Sequence, residues 1–432
     1  MDISQLYQLY LTHPSVQTDT RKLQPGDIFF ALKGPSYNGN AFAQQALDAG
    51  AAYAVVDETG ACRDERCILV DDVLKSLQDL ARYHRRRLNI PFLAITGSNG
   101  KTTTKELITA VLRKKFITYA TSGNLNNHIG VPLTLLSIRE DAQMAVIEMG
   151  ANHLHEIESY CRIAEPTHGL ITNCGKAHIE GFGGEAGVRQ AKGELYDYLR
   201  DSRGAIFRNT DLDYLADMSR GIQQQITYGT ANARYSGTPA MDGIFVDAIV
   251  SLPEEGSKDV RLQTHLVGGY NFPNVMSAVA VGLFFGVPLD DVIPALKEYE
   301  PDNSRSQWLK RGDNEVILDA YNANPTSMKA AIESFAAAQL PRKRLWLGAM
   351  KEMGDASPAE HEALVKLAEQ YPWDEIILVG EEFSTVKGVH AWFANSADAA
   401  AFVRKNPPEK ASILIKGSRG SRMEVLLEAL AG

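Results

Sequence analysis

The residues best suited to chemistry lie between Phe92 and Lys105, where an apolar run feeds a glycine loop that ends in Lys-Thr and opens a helix. That order makes a triphosphate cradle. Gly97 and Gly100 allow a tight turn that points the N–H groups of the loop, Ser98 and Asn99 included, at phosphate oxygens, and the following helix adds its positive N-terminal dipole. Lys101 is then placed to reach the β- and γ-phosphates. Thr102 supplies a hydroxyl suited to Mg²⁺, a hard cation that favours oxygen ligands, and Thr103 belongs to the same loop. Leu107, Ile108, Val111 and Leu112 at amphipathic spacing predict the helix. The loop is a shorter variant of G-x-x-x-x-G-K-[ST], since position 95 is Ile and the first glycine is Gly97.

An acid and two bases fall near the ends of other apolar runs. Glu148, in Ala145–Gly150, leaves a buried strand where a carboxylate can hold Mg²⁺ beside phosphates, although a strand-end glutamate is otherwise a solvated cap. His178 sits in the glycine-rich stretch Thr172–Gly184 after another strand, on the side where α/β proteins bind ligands; taken alone it is an ordinary surface histidine. Lys192, in the helical stretch Gln190–Leu199, reads from its neighbours as a solvated lysine.

The elements that must position these groups follow an α/β grammar. Residues 1–88 form a small α/β unit with strands at Asp27–Leu32 and Ala52–Val56, and the basic run Arg82–Arg87 before Pro91 predicts a solvated helix end and a boundary. Residues 89–300 carry apolar runs at Ala145–Ile147, Gly169–Ile171 and Ala205–Phe207 between helical patterns, predicting a parallel sheet of the P-loop ATPase type. Turn residues and alternating runs at 229–265 predict a β insertion or antiparallel edge. Residues 301–432 restart the pattern, with strands at Glu315–Leu318, Arg344–Leu347, Glu375–Val379 and Ser412–Ile415, and predict a Rossmann-like domain.

The 432 residues suffice for roughly three domains. A net charge of −9 argues against a nucleic-acid-binding surface while leaving room for local basic pockets. No stretch approaches the length of apolar chain that spans a bilayer, and the N-terminus lacks a basic region followed by an apolar core, so a cytoplasmic protein without membrane insertion is expected. Cys62, Cys67, Cys161 and Cys174 contain no C-x-x-C pair, and reduced, mostly buried thiols are expected.

Taken together, the loop Thr96–Thr103, the acid in Glu148–His153, the His178 loop and Lys192 resemble the ATP-dependent Mur ligases of peptidoglycan synthesis in order and spacing. Thr121–Leu135, Ala177–Gly183 and Leu318–Met328 look most like the branch that joins D-alanyl-D-alanine to UDP-N-acetylmuramoyl-tripeptide, and Thr18–Ile28 resembles the segment that holds the UDP-sugar. The resemblance implies three domains and an acid–amino-acid ligase that forms a C–N bond at the cost of ATP. It implies that Lys101 binds phosphates, that Thr102 and Glu148 hold one Mg²⁺, and that His178 helps hold a second. Lys192 matches the family lysine that becomes carbamylated, a change from cation to anionic oxygen ligand. Asn271 and Asn274 match nucleotide-contacting asparagines, and Arg305 and Asp319 match groups that the C-terminal domain brings to the nucleotide. Substrate contacts are implied for Thr20, Arg21, Asn126, Asn127, Tyr321, Asn322, Asn324, Lys416, Ser418 and Arg419. Tyr270 departs from the histidine that many members carry there.

The implied partners are two small molecules, the UDP-linked tripeptide, with diaminopimelate or lysine at its third position, and D-alanyl-D-alanine; a monomer is expected. Two other readings share the loop. A sibling ligase adding the third amino acid, or a folylpolyglutamate-synthase-like enzyme, would not be expected to carry Tyr321–Pro325, and the Asp-Asn-Pro-Arg segment of the third-residue ligases is absent. A catalytically degenerate nucleotide-binding regulator would not need the set Lys101, Thr102, Glu148, His178 and Lys192.

Overall fold

Three large sheets and one two-stranded antiparallel ribbon, Lys33–Gly34 with Tyr37–Asn38, carry the described residues. They belong to a computed structural model that describes residues 1–61, 64–176, 179–251, 259–388 and 391–430. The first is parallel, in the order Val16–Gln17, Ile28–Phe30, Tyr53–Val56, Cys67–Leu69. Its helix Val73–Arg85 starts on Asp72, whose side chain accepts from Lys75 N, and buries Leu77, Leu80 and Ala81 at helical spacing.

The basic run at the end of that helix is exposed at Arg82, Arg86 and Arg87, as expected, but not at Arg85. Arg85 is buried; its Nε donates to Ala164 O and its Nη2 to Glu165 O, both at 2.8 Å, and its guanidinium lies 3.7 Å over the Phe92 ring. Arg82 and Arg86 both pair with the Glu165 carboxylate. The run is therefore a clasp onto the middle sheet, and Glu165, at φ 41°, turns the chain to meet it. Cys161 and Cys174 are free and buried in apolar surroundings, as expected, whereas Cys67, at the half-buried start of the edge strand, is disulfide-bonded, against the expectation; Cys62 lies outside the described residues.

The middle sheet has nine strands, in the order Asp259–Leu262, Phe245–Ser251, Tyr235–Asp242, Gln224–Gly229, Ala205–Asn209, His168–Ile171, Phe92–Thr96, Met144–Glu148, Thr118–Ala120. The strands from Thr118 to Tyr235 pair parallel, and the three around Phe245 pair antiparallel, which places the expected β insertion at one edge. Phe92–Thr96 and Met144–Glu148 are buried along their whole length, as central parallel strands covered on both faces should be.

The third sheet runs Gln307–Arg311, Asn314–Asp319, Ser412–Lys416, Lys343–Gly348, Glu375–Val379, Ala391–Phe393, parallel except for its first pair. The Rossmann-like pattern is present with two additional edge strands, the short Ala391–Phe393 and the antiparallel Gln307–Arg311. The latter alternates between exposed and half-buried residues and has no continuous apolar run to reveal it. Among the described residues no helix is long and apolar enough to cross a membrane.

Candidate active site

The strand Phe92–Thr96 lies between His168–Ile171 and Met144–Glu148, so the chain order reverses there and the three carboxyl ends open a crevice, the usual ligand position in such sheets. The glycine loop fills it. Gly97 has φ 144° and Gly100 φ 80°, and a Cβ would stand 2.0 Å from Thr172 Oγ1 at the first and 2.6 Å from Asn274 Oδ1 at the second. Only glycine fits either place. Asn99 is held by its own backbone: its N–H donates to Asn173 Oδ1, and its carbonyl accepts from Thr172 Oγ1 at 2.7 Å and Asn173 Nδ2 at 3.1 Å.

Lys101, the first residue of the helix Lys101–Leu112, folds back so that Nζ donates to Gly97 O at 2.7 Å and Ser98 O at 3.2 Å. Burial is the main reason its amine is lowered to about 8, with the Arg305 charge acting in the same direction and Glu148 against it. Thr102 Oγ1 donates to Glu148 Oε1 at 3.2 Å, and Asn126 Nδ2 donates to the same oxygen at 2.7 Å. Glu148 is 1% exposed, and its Oε2 has no hydrogen-bond partner among the described residues. A buried carboxylate oxygen left open beside a threonine hydroxyl fits a hard cation. Lys105 Nζ stands 3.9 Å from that oxygen. The sequence reading passed over Lys105; its signal is its place one helical turn after Thr102, on the same face.

Lys192 is not the solvated lysine its neighbours in sequence suggest. It is 1% exposed on the helix Glu185–Asp201, with Nζ donating to Ala151 O at 3.2 Å and lying 4.9 Å over the Phe182 ring. Burial, helped by the Lys101 charge, pulls its amine down to about 7. His178 lies outside the described residues.

Asn271 and Asn274 are buried and linked, Asn274 Nδ2 donating to Asn271 Oδ1 at 2.8 Å while Thr104 Oγ1 donates to Asn274 Oδ1 at 3.1 Å. Beside them Tyr270 meets Ser306, hydroxyl to hydroxyl, at 2.8 Å. Burial, with Asp319 nearby, raises its phenol, so it stays neutral.

The third sheet closes the other side. One cleft of about 600 Å³ is lined by the loop from Ser98 to Thr103, by Asn126, Asn127 and Glu148, by Asn271 and Asn274, and by Arg305, Asp319, Tyr321, Asn322, Asn324 and Lys416. Asp319 and Lys416 are register partners at the ends of neighbouring strands, and Lys416 Nζ lies 2.5 Å from Asp319 Oδ2. Tyr321 lies under two guanidinium groups, Arg305 at 3.8 Å and Arg419 at 5.8 Å. Asn324 Nδ2 donates to Asn99 Oδ1 at 2.8 Å, directly joining the third sheet to the phosphate loop. Ser418 is 2% exposed and serves structure here, donating to Ala323 O and accepting from Lys351 N. Thr20 and Arg21 are not brought to this cleft. They lie in the turn Thr20–Lys22 of the first sheet, where Arg21 pairs with Asp19.

A parallel sheet with a phosphate loop at its switch point, faced by a Rossmann-like sheet that contributes cations, defines a nucleotide-dependent ligase of the Mur type. The chain matches the Mur ligase family catalytic domain over residues 14–90, the Mur ligase middle domain over 95–282 and the Mur ligase glutamate ligase domain over 304–419. It belongs to the Mur ligase family. It is similar to the UDP-N-acetylmuramoyl-tripeptide–D-alanyl-D-alanine ligases of Escherichia coli, at 35% identity over 97% of this chain and 94% of the relative, and Bacillus subtilis, at 32% over 98% and 94%. Among solved structures it resembles MurF from Acinetobacter baumannii, with a TM-score of 0.88, 30% identity and 98% of both chains covered.

Proposed function

We propose that this chain is an ATP-dependent ligase that joins D-alanyl-D-alanine to UDP-N-acetylmuramoyl-tripeptide, forming a C–N bond and yielding the UDP-linked pentapeptide, ADP and phosphate. The observation that carries the reading is the single cleft in which Lys101, Thr102 and Glu148 face Arg305, Asp319 and Lys416 from another sheet. The near-full-length likeness to ligases of this name supports the choice of substrates over the sibling and folylpolyglutamate readings, and over a degenerate regulator.

Three domains divide the work: 1–88 for the UDP-sugar, with Thr20 and Arg21; 89–300 for ATP; and 301–432 for the groups that complete the site. Lys101 releases Gly97 O and Ser98 O to take the β/γ-phosphates, with backbone N–H groups from Gly97 to Thr103 around them. Asn271 and Asn274 hold the nucleotide, and Arg305 and Asp319 approach it from the third domain. Asn126, Asn127, Tyr321, Asn322, Asn324, Lys416, Ser418 and Arg419 position the peptide substrates. Thr102 and Glu148 hold one Mg²⁺, and His178 with a carbamylated Lys192 a second; when bound, the ions neutralise phosphate charge. Carbamylation needs a neutral amine to attack CO₂ with loss of one proton, and a lysine lowered to about 7 supplies it.

The terminal carboxylate oxygen of the tripeptide attacks the γ-phosphorus as the bond to the ADP oxygen breaks, giving an acyl phosphate. Arg305 and Lys101 stabilise the charge that develops. The amine of D-alanyl-D-alanine then attacks the acyl carbon, loses its proton and expels phosphate. Because water competes for the acyl phosphate, the third domain must cover the cleft before the first step.

Phosphate release, measured with D-alanyl-D-alanine against the diaminopimelate and the lysine tripeptide nucleotide, tests the reading. Release that requires both substrates is expected with at least one nucleotide. Release without the dipeptide, or none with either nucleotide, overturns it.

A further inference from the structure

We propose that Glu106 is a positioning residue that anchors the segment carrying Arg305; this rests on the reading of Arg305 as a nucleotide-facing cation. Glu106 sits on the helix Lys101–Leu112 that follows the phosphate loop, and it does not line the cleft. A carboxylate exposed to the phosphates would repel them, so its value has to lie elsewhere. Both of its oxygens are engaged. Oε2 accepts from the Tyr299 hydroxyl at 2.5 Å and Oε1 accepts from Asn303 Nδ2 at 3.0 Å.

Those two donors come from the crossing between the helix Leu289–Lys297 and the strand Gln307–Arg311, where the chain passes from the middle sheet to the third. Arg305 stands just beyond them, between Ser304 at φ 56° and Ser306 at φ 50°. Two non-glycine residues in the left-handed region are strained, and such a backbone persists only where its surroundings over-determine it. Ser304 O accepts from Ala320 N, and the Ser306 hydroxyl meets Tyr270; Glu106 supplies the restraint on the upstream side. The result holds the Arg305 guanidinium 3.8 Å over Tyr321. Lys105, whose Nζ is 3.8 Å from Glu106 Oε1 and 3.9 Å from Glu148 Oε2, ties this anchor to the carboxylate at the strand end.

The test uses the full chain and three readouts: kcat, equilibrium nucleotide binding, and amide hydrogen exchange over residues 299–306. Glu106→Gln keeps the shape but removes the charge of the acceptor, and Tyr299→Phe keeps the ring but removes one donor. Glu106→Gln is expected to lower kcat roughly tenfold, leave nucleotide affinity within about twofold, and speed exchange over 299–306. Tyr299→Phe should do the same to a smaller extent. In an Arg305→Ala background, Glu106→Gln should cost no further kcat, because the two act as a unit. An equal loss in both backgrounds, or unchanged exchange in both variants, overturns the anchoring role. A wild-type kcat for Arg305→Ala instead overturns the reading of Arg305, and the exchange rates still decide whether Glu106 holds the segment.

Discussion

The seam between the first and middle sheets is built from hydrocarbon and a buried guanidinium, whereas the seam between the middle and third sheets is built largely from amides, hydroxyls and ion pairs. Across the first, one apolar core runs from Leu6, Leu77 and Leu80 through Leu135 and Tyr160 to Leu195. Tyr10 donates to Leu136 O at 2.6 Å, His84 meets Ile138 O at 2.8 Å, and Arg85 caps the carbonyls of Ala164 and Glu165. Across the second, Asn324 meets Asn99, Lys176 meets Thr326 and Glu360, and Glu106 meets Tyr299 and Asn303. Its apolar part is a hairpin tip, with Ile244 and Val267 joining the cluster of Ile317, Ile332 and Phe335. Opening the first seam would expose core. Opening the second mostly trades protein hydrogen bonds for water ones, at small net cost each. The chemistry therefore sits where one wall is fixed and the other is able to part, as a ligase that must admit substrates and then exclude water requires.

The largest expected effect falls on the fixed wall. Lys101→Ala should lower turnover by roughly 10²–10³-fold or more, with the melting temperature nearly unchanged, because among the described residues the amine donates only to carbonyls of its own loop. Near wild-type kinetics would remove the phosphate loop from the mechanism. Next comes Arg85→Ala, which strips a charged donor from the buried carbonyls of Leu88 and Ala164 and the half-buried one of Glu165, and should cost about 3 kcal/mol in urea denaturation. A loss below about 1 kcal/mol would mean that the two seams are alike.

Lys192 belongs to the fixed wall as well, so its pH response should not depend on the third sheet. Reactivation of decarbamylated enzyme at a fixed concentration of dissolved CO₂ should rise with pH through about 7 and level above it, following the neutral amine. The stability of the uncarbamylated chain has a definite sign too. The unfolded chain holds the Lys192 proton up to 10.5, and the fold releases it near about 7. Between those values the unfolded state binds more protons, so stability rises with pH across the window. A flat urea midpoint through it would show that the lysine is not desolvated.

The smallest effect sharpens the contrast. Lys176→Ala breaks a partly exposed pair with Glu360 at the second seam and should change stability by no more than about 0.5 kcal/mol. Small-angle scattering with and without nucleotide and UDP-linked tripeptide should then report compaction, while a distance measured between labels on the first and middle sheets stays constant. Movement across the first seam would reverse the comparison.

Local patterns were legible in the sequence, and long-range pairings were not. Continuous apolar runs marked Phe92–Thr96, Met144–Glu148 and the four parallel strands expected in the third sheet, and the glycine loop marked the switch point. Gln307–Arg311 escaped notice because an edge strand with only one half-buried face has no apolar run. Arg85, in the basic run Arg82–Arg87, looked solvated because its acceptors at 164 and 165 lie some eighty residues away, and only the tertiary fold brings them together. The burial of Lys192 was invisible for the same reason: its helix looks half polar, and Ala151 and Phe182 are what enclose it. Nothing local could show that Glu106 holds a segment almost two hundred positions further on.

The two loop glycines carry an implication for how this chain could change by descent. A side chain at position 97 would collide with Thr172, and one at position 100 with Asn274, whether or not a nucleotide is ever bound. Selection for a folded chain alone would preserve both glycines. Lys101 and Lys192 enjoy no such protection, since among the described residues one donates only to carbonyls of its own loop and the other is a lysine whose burial costs stability. A lineage that abandoned catalysis would thus lose its two lysines first and keep a fossil of the cradle, and a paralogue with intact glycines but a neutral residue at 101 would be recognisable as a former enzyme.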